Sequence, residues 1–436
     1  MNEFEKIIGY TAEKKELEQI CDILKNPKIY AELGVQLPSG LLLHGEPGVG
    51  KTLMARSFAA ASGLNLYTCR KNESNGKFVQ VIKDTFSEAG AHVPSIVFLD
   101  DMDKFANEDS SHPNAEEFVT IQSCIDENKG RGIFVLATAN DIDDLPESLL
   151  RAGRFDRVME IRPPRGRDAE DIARYYISGK RFVGEIDMKL ISRILNGRSC
   201  AELEAIINDA GSYAGYERKT EITMDHLLKA ALSRIFEVPV HDLYEPYHPV
   251  DLNAGYSNMA SNVFHEAGHV VIAEVLYPGC TTLSSVFHKK GEESGFTMTA
   301  NHKEVSSRLW KKYSIVIGYG GRAAVDRMFG FTDEGSENDI SEVNKAISDD
   351  IGDQCIYGLD LYNIGIPFPS ETLKLRTEQT RAVLSRQYYE KAKEILACNH
   401  RLFQRVAEEL AKHGILSMND IKKLTDECGI VPATVL

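Results

Sequence analysis

The sequence lacks the paired cysteines and basic clusters that mark several protein classes. None of its eight cysteines stands in the close pairs of structural zinc sites or thioredoxin-like motifs. Scattered cysteines are typical of buried thiols in a reducing compartment, so we expect a cytoplasmic protein. The net charge is -15 and no basic patch offsets it. We therefore expect no nucleic-acid partner.

Long apolar segments are also missing. Residues 2–6 are polar and lack the basic and apolar regions of a signal peptide. The longest apolar runs, such as Ser95 to Leu99 and His269 to Tyr277, are far shorter than the ~20 residues of a membrane helix. We expect neither secretion nor a membrane span in this chain. At 436 residues and 43% hydrophobic content, several ordinary globular domains are expected instead.

The pattern of apolar residues predicts four segments. Short β-type runs alternate with helical stretches up to residue 163, which indicates a large α/β nucleotide-binding domain with a parallel sheet. Residues 164–237 show only helical periodicity and predict a small helical lid domain. Three prolines in residues 238–250 suggest a linker. Residues 251–436 predict a mainly α-helical domain, with one extended patch around 295–299.

A phosphate-binding loop is the clearest motif of the first half. The pattern G-x-x-x-x-G-K-[ST] follows an apolar strand and precedes a helix, as such loops require. Backbone N–H groups of this loop curl around phosphates, the lysine supplies positive charge, and the hydroxyl ligates Mg²⁺. The motif consists of Gly45, Glu46, Pro47, Gly48, Val49, Gly50, Lys51 and Thr52. It predicts ATP and Mg²⁺ as cofactors.

Two acidic residues and an asparagine follow the next strands. Asp100 and Asp101 directly follow the apolar run Ser95 to Leu99. In this position Asp100 can ligate Mg²⁺ and Asp101 can activate the attacking water. Asn140, after the following strand, is placed to orient that water. A strand with an acidic turn, and an asparagine that is only a turn residue, are the plainer alternatives.

Arginines flank a glycine at the end of the α/β region. Taken alone, Arg154 and Arg157 are typical of surface salt bridges. In a ring-shaped ATPase such arginines stabilise charge on the neighbouring subunit's nucleotide, because a guanidinium grips phosphate oxygens with two hydrogen bonds.

The second half contains a metal-binding pattern. His265 and His269 are four residues apart in a run with helical periodicity, so both imidazoles lie on one face and can bind zinc. Glu266 is then placed to deprotonate a water, which implies peptide hydrolysis. Two histidines on a solvated helix face are the alternative. Candidates for a third ligand lie in residues 333–339, where Ser336 and Asp339 also match a helix capping box, and spacing does not decide between the two.

In this order the motifs resemble the FtsH-type AAA+ metalloproteases, from about Phe4 to about Leu424. Residues 7–10 look like the start of the family's ATPase module, which lies near the adenine. Residues 136–140 look like its first sensor, and residues 153–157 like its arginine fingers. Residues 319–324 and 336–339 match as well. The resemblance implies a homo-hexameric ring that hydrolyses ATP, threads polypeptide substrates and cleaves them at one zinc per subunit. It also implies that Asp339 is the third zinc ligand.

A strand beside the active site is a further implication, because residues 294–298 resemble the family's substrate-binding strand. An ordinary hairpin strand is the alternative there.

Three departures from the family pattern stand out. We expect no counterpart of the family's N-terminal membrane-spanning segment in this chain, and no aromatic residue stands at the pore-loop position near 74–76. Asp101 replaces a glutamate and is one methylene shorter, in a reaction sensitive to ~1 Å. These departures motivate two other hypotheses: a zinc peptidase for which ATP is an assembly ligand, and a non-proteolytic remodelling protein.

Overall fold

The chain folds into two compact units, residues 1–227 and 228–436. The computed structural model describes residues 3–71, 77–106, 115–151, 153–244, 247–287, 295–301, 306–332, 334–352 and 370–435. None of the helices in these ranges is long and apolar enough to span a membrane.

A five-stranded sheet forms the core of the first unit. Its strands are β1 (Gly40–His44), β2 (Asn65–Cys69), β3 (Ser95–Leu99), β4 (Ile133–Ala139) and β5 (Arg157–Glu160). All paired strands are parallel, in the order β2-β3-β4-β1-β5. Every residue of β3 is buried, as expected of a central parallel strand. The carboxyl ends of β1, β3 and β4 therefore meet at one edge of the sheet.

Helices lie between the strands along the chain and continue after the last of them. They are α1 (Thr11–Lys25), α2 (Pro27–Glu32), α3 (Lys51–Ser62), α4 (Phe78–Ala91), α5 (Glu116–Asn128), α6 (Arg167–Ser178), α7 (Met188–Ile194), α8 (Cys200–Tyr216) and α9 (Met224–Ile235). The parallel α/β fold and the helices that follow it confirm the predicted fold class. At the start of α8, Ser199 and Glu202 form a reciprocal capping box.

The second unit is mainly helical. Its helices are α10 (Val240–Tyr244), α11 (Asn258–Leu276), α12 (Ser307–Gly318), α13 (Gly320–Phe329), α14 (Glu337–Gly352), α15 (Glu371–Cys398), α16 (His400–His413) and α17 (Met418–Cys428). All residues of α11 from Ala260 onward are buried, because α12, α13, α15 and α16 pack around it.

The expectation of one extended patch in this unit is wrong, because the described residues hold a three-stranded antiparallel sheet. The strands are β6 (Thr281–Ser285), β7 (Phe296–Thr299) and β8 (Ile415–Ser417), in the order β7-β6-β8. Only β7 coincides with the predicted patch. The short polar β6 and the three-residue β8 carry little β-pattern of their own.

Residues 238–250, the predicted linker, are partly helical and partly buried. This stretch contains α10, and Val238 and Leu243 are buried against Leu283 and Phe296. The two compact units divide inside α9. The predicted domain boundaries at 163/164, 237/238 and 250/251 stay predictions.

Candidate functional site

The phosphate-binding loop joins β1 to α3. Gly45 has a φ of 143° and Gly50 a φ of 101°, both rarely adopted by L side chains. A Cβ on Gly45 would lie 2.1 Å from the carbonyl oxygen of Ile161. The loop therefore needs glycine at this position to lie against the neighbouring backbone.

Lys51, the first residue of α3, points back into this loop. Its Nζ donates to the carbonyl oxygens of Gly45 at 2.6 Å and Glu46 at 2.9 Å, and to Asn140 Oδ1 at 3.0 Å. Burial is the main cause that lowers the pKa of Lys51 from its usual value. The ammonium group is thus held where a bound phosphate would meet it.

Asp100 forms the candidate Mg²⁺ site with Thr52. The Asp100 side chain is buried, and its Oδ1 accepts hydrogen bonds from Thr52 Oγ1 at 3.1 Å and Thr138 Oγ1 at 2.9 Å. A carboxylate beside a hydroxyl group is an oxygen donor set that suits Mg²⁺. The structure therefore brings these two predicted Mg²⁺ residues together.

Asp101 is engaged by cations. Its backbone is left-handed, with a φ of 57°, a conformation that Asp tolerates better than most residues. Its Oδ2 lies 3.3 Å from Arg70 Nη2 and 3.0 Å from Lys104 Nζ. The predicted water-activating carboxylate is thus ion-paired, and sequence reasoning did not identify either cation.

Asn140 links the loop to a second acidic residue. Its Oδ1 accepts from Lys51, and its Nδ2 donates to Asp103 Oδ2 at 3.0 Å. An ammonium group only donates and a carboxylate only accepts, so these partners fix the orientation of the amide. Sequence reasoning identified Asn140 but not Asp103.

A cavity of about 970 Å³ adjoins the loop, which is large enough for a nucleotide. Its apolar wall includes Ile7, Ile8 and Tyr176. The start of α8 closes another side, where the Ala201 N–H donates to the Gly48 carbonyl at 3.1 Å. Residues 7–10 were predicted to lie near the adenine, whereas the contribution of α8 had no motif to reveal it.

Arg154 and Arg157 lie away from this cavity. Arg157 is paired with Leu41 near the start of β1, and the Arg154 carbonyl faces Gly40, whereas the phosphate loop follows the far end of that strand. Asp126 holds the Arg154 guanidinium through Nε at 3.2 Å and Nη2 at 2.8 Å. The phosphate site of the same chain is therefore not their target.

Three potential metal ligands converge in the second unit. His265 and His269 project from one face of α11, and Asp339 lies in the first turn of α14. Asp339 Oδ2 is 2.9 Å from His265 Nε2 and 3.1 Å from His269 Nε2. The three ligand atoms lie within 4.8 Å of one another. Two imidazoles and a carboxylate in this arrangement fit the ligand set of a catalytic zinc.

The protein orients one imidazole through its other nitrogen. His269 Nδ1 donates to the carbonyl of Ile317 at 2.7 Å, which leaves Nε2 to face Asp339. A Cβ on Gly321 would lie 2.3 Å from the His265 ring. The glycine at this position of α13 therefore makes room for the second imidazole.

Glu266 is buried beside these ligands. Its Oε2 accepts from Thr297 Oγ1 of β7 at 2.6 Å, and Ser284 Oγ of β6 lies 2.9 Å from the same hydroxyl. Burial raises the pKa of Glu266, and the nearby histidines and the Thr297 hydrogen bond oppose that effect. A carboxyl group with a raised pKa suits a general base.

Asp339 makes contacts that the capping-box alternative does not predict. Ser336 Oγ is buried and has no hydrogen-bond partner among the described residues, so no cap forms there. Burial alone would raise the pKa of Asp339, but the charge of His269 and hydrogen bonds from both histidines hold it well below its usual value. The carboxylate is thus kept ionised, as a metal ligand must be.

Comparison with known proteins gives two findings. Residues 41–163 match the ATPase family associated with various cellular activities (AAA). The chain is also similar over nearly its whole length to proteins named ATP-dependent zinc metalloprotease. Identity is 29% to FtsH of Thermus thermophilus and 30% to the YME1 homolog of Caenorhabditis elegans, in each case over 97% of this chain. Identity to FtsH of Pelobacter propionicus is 30% over 86% of this chain.

These findings support a relationship to the FtsH-type AAA+ metalloproteases. The chain spans 70%, 60% and 62% of the length of these three relatives, in the order given.

Some residues singled out in this FtsH-type sequence lie outside the described ranges. They are the pore-loop position at Ser74 to Gly76, the first residue of the substrate-strand motif, Ser294, and the ligand candidate Asp333. Phe296 to Met298 of that motif lie in β7, at the edge of the sheet that the described residues form.

Proposed function

We propose that this chain cleaves polypeptides at a zinc site in its second unit and uses ATP hydrolysis in its first unit to drive that cleavage. The observation that carries the proposal is the convergence of His265, His269 and Asp339 on one point, with the buried Glu266 beside it. The complete phosphate loop and the adjoining cavity supply the ATP half.

The chemistry follows from the arrangement of these side chains. Zinc would act as a Lewis acid that polarises the scissile carbonyl and lowers the pKa of water. Glu266 would accept a proton from the attacking water and deliver it to the leaving amine as the C–N bond breaks. Thr297 holds the Glu266 carboxylate in place through its hydroxyl group.

An extended polypeptide fits the edge of the small sheet. In the described sheet, β7 pairs with β6 on one side only, and a substrate can add to its other side as a further strand. Because Thr297 lies on β7 and contacts Glu266, a peptide paired there would run close to the proposed base. Unfolded segments are the class of substrate that can adopt this conformation.

A homo-hexameric ring in the cytoplasm completes the proposal. Arg154 and Arg157 lie near the start of β1, away from the phosphate loop of their own chain. In a ring they would meet the nucleotide of the adjacent copy, where a guanidinium stabilises charge that develops on the phosphates.

The test follows cleavage of a fluorescent unfolded protein by the purified chain with zinc. ATP is compared with a non-hydrolysable analogue, and Glu266→Gln serves as the blank. We expect cleavage only with hydrolysable ATP. A rate no higher than that of the blank would refute the peptidase and favour a non-proteolytic remodelling protein.

One observation favours a second candidate, a zinc peptidase for which ATP is mainly an assembly ligand. Asp101 is short and ion-paired with both Arg70 and Lys104, so its carboxylate is less available to activate water. Equal cleavage with ATP and the analogue would support this candidate.

A further inference from the structure

Lys104 occupies an unusual place beside the phosphate loop. It ends a short 3₁₀ turn, Met102–Lys104, just beyond the candidate Mg²⁺ ligand Asp100. Its side chain is 61% exposed, yet it lines the same cavity as Lys51, Thr52 and Asp101. Lys104 is therefore a further lysine at this cavity, besides Lys51 and Lys6, and no motif assigned it a role.

Two of the lysines that line this cavity, Lys51 and Lys104, lie beside the phosphate loop or the candidate Mg²⁺ ligands and can contact a polyanion. Burial lowers the pKa of Lys51 and the nearby positive charge of Lys104 adds to this effect, whereas Asp103 and Asp101 oppose it. Two ammonium groups that border one cavity repel each other unless an anion lies between them. A triphosphate with Mg²⁺ at Thr52 and Asp100 would place its terminal phosphate in this region.

Asp101 can give up one of its two cation partners. Its Oδ2 accepts from Lys104 Nζ at 3.0 Å and from Arg70 Nη2 at 3.3 Å. Arg70 does not line the cavity, whereas Lys104 does. If Lys104 turns to a phosphate, Arg70 still holds the Asp101 carboxylate, and no buried charge is left unpaired.

We propose that Lys104 binds the terminal phosphate of ATP and gives the site its preference for a nucleoside triphosphate over a diphosphate. The inference rests on the proposed ATPase and adds to it a cation supplied by the same chain, distinct from arginines of a neighbouring copy. ATP binding exchanges the Lys104–Asp101 ion pair for a Lys104–phosphate pair. The Asp101 carboxylate then keeps Arg70 as its cation.

The experiment measures the dissociation constants of a non-hydrolysable ATP analogue and of ADP for the full-length chain. Lys104→Gln removes the charge, and Lys104→Arg retains it. Lys28→Gln, at an exposed position of α2 outside the cavity, matches the change in net charge. We expect Lys104→Gln to raise the dissociation constant of the analogue roughly fivefold to tenfold, as for the loss of one charge-assisted hydrogen bond at a partly exposed site. The dissociation constant of ADP should change less than about twofold. Lys104→Arg should bind both nucleotides as tightly as the unmodified chain.

Several outcomes would overturn the inference. Equal losses for the analogue and ADP would show a general effect of charge, and unchanged binding of both would show that Lys104 pairs only with Asp101. In either case the proposed ATPase would stand, provided that Lys51→Ala abolishes binding. If the unmodified chain bound neither nucleotide, the ATPase proposal would fail together with this inference.

Discussion

Gly321 leaves space for a zinc ligand because it has no side chain. Its Cα faces the His265 ring, and an added Cβ would lie 2.3 Å from Nε2 and from Cε1. Gly321→Ala should displace this imidazole and lower the affinity for zinc by roughly tenfold to a hundredfold, the range seen when the support of a ligand is removed. Competition with a chromogenic chelator measures the affinity.

Gly215→Ala is the matched control, because a Cβ there meets nothing within 4 Å. It should leave zinc affinity unchanged and can slightly strengthen α8. Normal zinc binding by Gly321→Ala would mean that His265 is not a ligand.

At the scale of elements, β7 positions the proposed base. The hydrogen bond from Thr297 favours the charged form of Glu266 and so lowers its pKa, in opposition to burial. Cleavage needs the deprotonated base, so activity is lost as the pH falls through this pKa. Thr297→Val removes the hydroxyl and should move the acidic limb of the kcat/KM profile to higher pH.

Thr297→Ser keeps the hydroxyl group and should leave the profile in place. Equal shifts for the two variants would contradict a role of the hydrogen bond and indicate a packing effect of the lost methyl group.

The same elements show which features the sequence could predict. The apolar runs of β1, β3 and β4 follow directly from burial on both faces, and the motifs at their ends identified Lys51, Asp100 and Asn140. The strands β2 and β5 lie at the edges and are partly exposed, so their residues show little β-pattern. The pairing of β6 with β8 joins residues more than 100 positions apart, which local periodicity does not reveal.

Site residues that belong to no motif were harder to predict. Gly321, Thr297 and Lys104 act through tertiary contacts with residues of other elements or with a cavity. The contact of Asp339 with both histidines likewise depends on how α11 and α14 pack, and the sequence alone left it open against a capping box.

If the chain forms the proposed ring, the position of Arg157 predicts complementation between subunits. Arg157→Ala should bind ATP normally but hydrolyse it at least tenfold more slowly, because arginine fingers contribute about 10³- to 10⁵-fold. Lys51→Ala should lose ATP binding while keeping its arginines. A mixture of the two inactive variants should regain ATPase activity, since one subunit supplies the arginine and the next supplies the nucleotide.

Steady-state phosphate release measures this rate across mixing ratios. A flat line at the level of the single variants would rule out a shared site between copies.

The contact between the phosphate loop and α8 couples the nucleotide site of the first unit to the far end of this helix. The loop carbonyl of Gly48 accepts from the Ala201 N–H, and Cys200 Sγ lies 3.6 Å from the Val49 carbonyl, so a shift of the loop would be transmitted to the start of α8. The helix has 17 residues and is about 25 Å long at 1.5 Å per residue. A tilt of about 5° at the nucleotide would displace its far end by about 2 Å. Hydrolysis of one ATP would thereby produce a displacement of about 2 Å at the far end of α8.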